Sequence, residues 1–226
     1  MALDNRRGKI NKLDLYVDTQ YIALFSRHDV PKISDAMAKY GTLRSNIQSL
    51  KRGMRLCGFA VTLQCSPGDT EAILQAINMT EKGQVLFVDS GGCEDIATAG
   101  ASVISLAKEK GIGGLVVDGV IRDKLAWIKS GIPVFCRGSF SRLVPVQEKY
   151  EINGPISCGG LVVFPGDLAV GDEDGVVVVP GQDLSRVLAL TEEHLEKETW
   201  MQEEFDTGIS MTELFGCEPK IEKWRG

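Results

Sequence analysis

Gly114-Leu-Val-Val-Asp-Gly-Val-Ile-Arg-Asp123 leads into a helix-forming stretch over 123–129 and then into Gly131-Ile-Pro-Val-Phe-Cys136. Two short apolar runs rich in β-branched residues, joined by about two helical turns, spell a strand–helix–strand crossover. Neither run alternates polar with apolar residues, so both strands are buried on both faces, as in a parallel sheet. The same grammar repeats upstream. Cys57-Gly-Phe-Ala-Val-Thr-Leu-Gln-Cys65 reads as a strand, and Pro67-Gly-Asp-Thr70 as a turn that caps a helix over 71–79. Gln84-Val-Leu-Phe-Val-Asp89 reads as the next strand, Gly91-Gly92 as a sharp loop, and 96–110 as a helix that Gly111 ends. The fold class is therefore α/β with a central, mainly parallel sheet.

Downstream the pattern changes. Short strands over 156–163, 167–171 and 175–180 are separated by Pro165-Gly166 and Asp172-Glu-Asp-Gly175, which are turn residues. They predict a second, smaller β layer, antiparallel or barrel-like. A helix over 183–205 follows, with Leu184, Val187, Leu188, Leu195 and Phe205 marking an apolar side and most of its glutamates a solvated one. Near the start, Val30-Pro-Lys-Ile-Ser-Asp-Ala-Met-Ala-Lys-Tyr-Gly41 predicts a short helix, with Ser34 or Asp35 near its beginning and Gly41 as its stop; the residues before it read as a loose arm or short helix. The organisation expected is an arm over 1–29, one α/β body over 30–181, and a C-terminal helix and tail over 182–226 that packs on the body or on a neighbouring subunit.

Composition narrows the chemistry. Among 226 residues, 25 basic against 31 acidic side chains leave a net charge of −6, with no Lys/Arg block to neutralise a nucleic-acid backbone. The longest apolar runs are far short of a membrane span, and no apolar segment follows the opening residues as in a secretory leader, so a cytoplasmic protein with no membrane partner is expected. Cys57, Cys65, Cys93, Cys136, Cys158 and Cys217 form no C-x-x-C pair and mostly lie in apolar stretches, the pattern of buried thiols in a reducing compartment. His28 and His194 are the only histidines, which disfavours a histidine zinc site or a Ser–His–Asp triad. Cys93 has no histidine beside it to make it a nucleophile.

In open α/β sheets, ligands bind where strand ends meet helix starts. Two such junctions are Asp89-Ser-Gly-Gly92 and Asp118-Gly-Val-Ile-Arg-Asp123. Their glycines let backbone N–H groups approach an anion, and the dipole of a following helix favours it. Arg122 offers a bidentate fork for a carboxylate or enolate oxygen, and Asp123 a hard oxygen ligand for Mg²⁺ or Mn²⁺. The plainer alternative is that Arg122 and Asp123 pair with each other at a helix start, with Asp123 as the cap. Neither glycine cluster fits a nucleotide-binding fingerprint.

These residues, with Ser34-Asp-Ala36, Ile132-Pro-Val-Phe135, Gly159-Gly160, Pro165-Gly-Asp167, Gly171-Asp172 and Asp174-Gly-Val-Val-Val-Val-Pro180, resemble the RraA-like family over roughly residues 30–215. That family includes class II pyruvate aldolases acting on 4-hydroxy-4-methyl-2-oxoglutarate and 4-carboxy-4-hydroxy-2-oxoadipate, and a regulator branch that inhibits ribonuclease E. The resemblance implies a layered α/β sandwich of the swivelling β/β/α type, assembled as a homotrimer or hexamer with sites between subunits. It implies that Arg122 binds the pyruvoyl oxygens and stabilises an enolate, and that Asp123 ligates Mg²⁺ or Mn²⁺. Backbone amides around Gly100, Ala101, Ser102 and Val103 would hold the pyruvate carboxylate, and Glu198 of a neighbouring subunit would hold a metal-bound water. This chain departs from the aldolases at Ala101, where they carry an acid; Glu94 or Asp95 is the nearest substitute in sequence. The regulators typically lack the aspartate that follows the arginine, which Asp123 supplies here. The function expected is a metal-dependent carbon–carbon lyase acting next to a pyruvoyl group, by retro-aldol cleavage, oxaloacetate decarboxylation or both. The alternative is a non-catalytic oligomer that regulates a protein partner such as a ribonuclease. A menaquinone-precursor methyltransferase, a label some relatives carry, finds no support in a nucleotide loop.

Overall fold

The computed structural model describes residues 8–12, 18–146 and 148–217. In chain order the elements are β1 (Gly8–Ile10), α1 (Gln20–Phe25), α2 (Val30–Ala36), β2 (Gln48–Ser49), β3 (Leu56–Gln64), α3 (Thr70–Met79), β4 (Val85–Ala99), α4 (Ile104–Lys110), β5 (Gly114–Ile121) and α5 (Lys124–Ser130). There follow β6 (Val134–Ser139), β7 (Tyr150–Ile152), β8 (Ile156–Cys158), β9 (Leu161–Val163), β10 (Leu168–Asp172), β11 (Gly175–Val179), α6 (Leu184–Asp206) and α7 (Met211–Leu214). Strands β3, β4, β5 and β6 lie side by side and parallel, with β7 and β1 beyond β3 and the short β2 antiparallel to β6.

Period-two alternation inside the apolar runs feeds two cores at once. Leu86 and Val88 of β4, Leu115 and Val117 of β5, and Val134 and Cys136 of β6 pack against α3, α4 and α5, where Ile73, Ile77, Ala107 and Trp127 are buried. The residues between them, Val85, Phe87, Val116 and Phe135, face Ile156, Cys158, Val163, Val176 and Val178 of the second β layer. Strand β3 links the two sheets: Leu56 to Phe59 pair antiparallel with β10, and Ala60 to Gln64 pair parallel with β4. Outside β10 and β11, Phe25, Val30, Ile33, Leu184 and Val187 close a third core. The molecule is thus an α/β sandwich with a mainly parallel central sheet and a smaller antiparallel one.

Three local expectations need correction. The segment 96–99 is strand, and the helix begins only at Ile104, after a single 3-10 turn over Ala101–Val103. Gly91 and Gly92, both at φ 68°, throw β4 into an excursion, so that Asp89 to Ala99 advance against only Asp118 to Ile121 of β5. Thr98 donates to the Ser90 hydroxyl (2.9 Å), which donates to the Asp118 carbonyl (2.8 Å), and Ala97 N–H donates to the Arg142 carbonyl (2.8 Å). Those nonlocal bonds hold the segment extended. Second, residues 156–163 form a hairpin rather than one strand, because Gly159 and Gly160, at φ 54° and 83°, supply a primed-type turn. Third, α2 starts after Asp29 with Pro31 in its first turn, so Ser34 and Asp35 sit inside it, and it ends at Ala36. Parts of the expected N-terminal arm (1–7 and 13–17) and the end of the tail (218–226) lie outside the described residues.

Candidate active site at the strand ends

The ends of β4, β5 and β6 converge on Arg122 and Asp123. Arg122 N–H donates to the Ala99 carbonyl (2.8 Å) and Phe140 N–H to the Ile121 carbonyl (2.8 Å), which ties the three strand ends together. Asp123 adopts a left-handed conformation (φ 60°, ψ 39°), unusual for a side-chain-bearing residue and costing roughly 1–3 kcal/mol. Its carbonyl starts α5, accepting from Ala126 and Trp127 N–H, but its carboxylate does not cap that helix. Instead Oδ2 accepts the Ala101 N–H at 2.8 Å and lies 3.5 Å from Arg122 Nε. The helix-cap role weighed from the sequence is therefore excluded. What the left-handed turn achieves is to swing the carboxylate back over the Gly100–Ala101 backbone.

Gly100 allows this approach by having no side chain. A Cβ there would stand 2.9 Å from Arg122 Cγ, Arg122 Nε and Asp123 Oδ2. The 100–103 loop, which the family resemblance placed in the site, meets Arg122 and Asp123. Ala101 N–H is engaged by Asp123, and Val103 N–H by the Gly100 carbonyl. The amides of Gly100 and Ser102 have no partner among the described residues. Arg122 Nε is buried yet makes no hydrogen bond, an unusual state for a guanidinium nitrogen. A shallow cavity of about 290 Å³ opens beside the pair, lined by Arg122, Asp123, Lys124, Ser139, Phe140 and Ser141. The last three and Lys124 escaped the sequence reading. The signal available was position: residues 139–141 follow strand β6, beside β5 at the carboxyl edge where α/β sheets place ligands.

A second Arg–Asp pair sits just behind. Asp118 Oδ1 accepts from Arg137 Nε (2.6 Å) and its Oδ2 from Gly159 N–H (2.8 Å), while Arg137 also reaches Glu94 Oε1 (3.3 Å). The Asp118 carboxylate holds the Arg137 guanidinium still more firmly protonated than usual. Glu94, one candidate to replace the acid missing at Ala101, is thereby committed to Arg137; Asp95 is exposed. Glu198 pairs with Lys32 of α2 (3.2 Å) and is not among the residues lining the cavity of its own chain. The buried thiols offer no nucleophile: burial pushes Cys65 up to about 12 and Cys136 to about 11. All six cysteines are free.

Among the described residues, no three His, Cys, Asp or Glu side chains gather as metal ligands. Asp123 nevertheless has one carboxylate oxygen, Oδ1, without a partner among the described residues. A single free carboxylate oxygen facing a cavity suits a hard divalent ion that keeps most of its waters and shares substrate oxygens, and does not suit a closed protein cage.

A fold and site of this kind define an α/β sandwich with an Arg–Asp pair at the strand ends. The model of the RraA-like family, described as Aldolase/RraA, matches residues 30–178. A Halalkalibacterium halodurans protein named as a candidate 4-hydroxy-4-methyl-2-oxoglutarate aldolase is 40% identical over 167 residues, 74% of this chain and 80% of its own. Among solved structures, an uncharacterised Pseudomonas syringae protein superposes with a TM-score of 0.75 at 27% identity, covering 88% of this chain and 96% of its own. Streptomyces coelicolor RraAS2, described as an unusual member of the RNase ES inhibitor RraA family, superposes with a TM-score of 0.74 at 26% identity, over 84% of this chain and all of its own. The chain belongs to the RraA-like family.

Proposed function

We propose that the protein is a carbon–carbon lyase that breaks the bond next to a pyruvoyl group, and that Arg122 stabilises the enolate formed. The observation that carries this is the half-exposed Arg122 guanidinium, which lines a cavity together with Asp123, a hard oxygen ligand, and makes no hydrogen bond through Nε. A guanidinium fixed in place by the folded chain is preorganised for charge that develops during reaction. The free amides of Gly100 and Ser102 receive the carboxylate of the 2-oxo acid. Arg122 donates to the oxygen on C2. In a retro-aldol cleavage the 4-hydroxyl gives its proton to water and C4 becomes a carbonyl as the C3–C4 bond breaks, that bond's electron pair forming the enolate; in decarboxylation the same bond breaks with loss of CO₂. Protonation at C3 then yields pyruvate in both. Mg²⁺ or Mn²⁺, held by Asp123 with water or with Glu198 of a neighbouring subunit behind it, supplies Lewis-acid charge at the C2 oxygen when bound.

The aldolase name of the 40%-identical relative supports this proposal, and so does Asp123 itself. Likeness to RraAS2 supports a second one, a regulator that binds a ribonuclease or another protein. The test is pyruvate release from oxaloacetate and from 4-hydroxy-2-oxo acids with each metal, and its loss on chelation. No turnover of any of these acids with either metal overturns the lyase and leaves the regulator. We propose further that the protein is a cytoplasmic homotrimer or hexamer. Exposed Val162 and Phe164, at 62% and 54%, support the assembly, and the free thiols support a reducing compartment. Among the described residues no helix is long and apolar enough to cross a membrane. A stable monomer at micromolar concentration in sedimentation overturns the oligomer.

A further inference from the structure

We infer that the protein carries a second ligand site, separate from Arg122 and Asp123: a large cavity at the carboxyl ends of β3 and β4 binds an organic cation, with the Asp89 carboxylate as its counter-charge. The inference does not depend on the lyase reading.

This cavity holds about 940 Å³, inside the range of roughly 300–1,000 Å³ usual for small-molecule sites and well above that of the one beside Arg122. It is walled by neighbouring strands at one edge of the sheet: the end of β3 with Gln64, the end of β4 with Asp89, the start of β7 with Glu151, and β1 with Lys9. That is the edge where α/β sheets place ligands, beside the junction at which β7 turns antiparallel to β3.

Strand register lines these side chains up. Lys9 stands opposite Glu151, Glu151 opposite Gln64, Gln64 opposite Asp89, and Asp89 opposite Asp118. Residues in register on adjacent strands share one face of the sheet and are near neighbours. At one end of the row Lys9 pairs with Glu151 at 2.6 Å, and at the other Arg137 of β6 pairs with Asp118 at 2.6 Å. Asp89, between those two pairs, has no cation among the described residues. It is only 8% exposed and accepts from the Gly91 and Ser157 N–H groups, at 2.9 and 3.3 Å. Gln64 beside it is exposed, and its side chain makes no hydrogen bond among the described residues. Lys149 also lines the cavity, but from an exposed position and without an ion pair to Asp89.

A carboxylate accepts about four hydrogen bonds, and one shut away from water without a counter-ion is costly. An ammonium group seated on Asp89 and on the Gln64 amide oxygen offsets that cost through charge-assisted bonds. The rest of the lining suits an organic body better than a metal ion. Ile10, Pro67 and the Tyr150 ring offer apolar contact, and an aromatic ring also attracts a cation. Among the described residues, no three metal-ligating side chains gather.

The test is calorimetric titration of the full chain with two organic cations, tyramine and agmatine, and with 4-ethylphenol, which is tyramine without its amine. Tyramine is expected to bind at least about tenfold more tightly than 4-ethylphenol, the value of one charge-assisted contact. Asp89→Asn removes that difference. Because this substitution also disturbs the Gly91 and Ser157 amides, exposed Gln64→Lys serves as a second variant. It sets a cation opposite Asp89 in the register and weakens tyramine binding about tenfold, with the melting midpoint unchanged or raised. Arg122→Ala leaves tyramine binding intact. The assignment is overturned by no binding of either cation up to about 10 mM, by equal binding of 4-ethylphenol, by full tyramine affinity in Gln64→Lys, or by its loss in Arg122→Ala. Each of these outcomes leaves the lyase reading standing.

Discussion

The two Arg–Asp pairs of this molecule take their aspartates from the same stretch, Asp118 in β5 and Asp123 just past its end, and behave as opposites. Asp118 and Arg137 meet at 2.6 Å with side chains 9% and 16% exposed, and their remaining hydrogen-bonding groups reach the Gly159 amide and Glu94. Arg122 Nε and Asp123 Oδ2 stand 3.5 Å apart, in side chains about 40% exposed, and Nε makes no hydrogen bond. The first pair is a clamp between β5, β6, the β4 excursion and the β8–β9 turn. The second is looser and lines a cavity, where the proposed substrate would complete it. An ion pair is therefore structural or functional according to how far the surrounding chain already satisfies it.

Variants that exchange these behaviours test the contrast, beginning with the largest effect. Arg122→Lys keeps the charge but loses the planar fork, so pyruvate-forming kcat/KM falls by about 10²–10³ while the melting midpoint stays close to wild type. A variant that keeps nearly full turnover breaks the functional half of the comparison. Asp118→Ala leaves Arg137 and the Gly159 amide without an acceptor in a largely buried place, with an expected cost of about 3–5 kcal/mol and a melting midpoint lower by roughly ten degrees. Calorimetric melting that shows no loss breaks the structural half.

Smaller effects sharpen the picture. Ala101→Asp restores a second acid near Asp123, and Mn²⁺ binding followed by electron paramagnetic resonance is expected to tighten about tenfold, with Mn²⁺ bound better than Mg²⁺ by both proteins. An unchanged affinity shifts attention to Asp95. The smallest expected effect concerns the thiols. Cys65 and Cys136, pushed up to about 12 and about 11 by burial, remain protonated thiols at pH 8, and their burial also shields them. Iodoacetamide is then expected to label exposed Cys217 in the native protein and to reach Cys65 and Cys136 only after unfolding, as peptide mass mapping can show.

Much of this was legible in residues taken one stretch at a time. The parallel strands announced themselves because runs such as Gly114-Leu-Val-Val are apolar on both faces, and Gly111 stops α4 at φ 64° as a glycine after a helix should. The α/β rule that places ligands at strand ends pointed to Asp118–Asp123, whereas the 100–103 loop entered only through the family resemblance. The β4 excursion was hidden, since Ile96-Ala-Thr-Ala suits a helix locally and is kept extended by pairing with β5 and by the Arg142 carbonyl, 45 residues away.

The residues alone determined the α/β class with its parallel sheet and smaller β layer, and which chemical groups stand at the end of β5. They did not separate the roles of the two aspartates in Asp118-Gly-Val-Ile-Arg-Asp123, which have identical side chains. Tertiary structure decided that, because what each carboxylate does depends on groups brought from elsewhere in the chain. Arg137 and the Gly159 amide converge on Asp118 from β6 and the β8–β9 turn, and together they satisfy both of its oxygens. Asp123, turned by its left-handed backbone onto the Ala101 amide, keeps one oxygen without a partner among the described residues, beside a cavity that Lys124, Ser139 and Ser141 line. Burial and partner geometry are properties of the packed whole, and they separate the aspartate whose two oxygens are both satisfied from the one proposed to act.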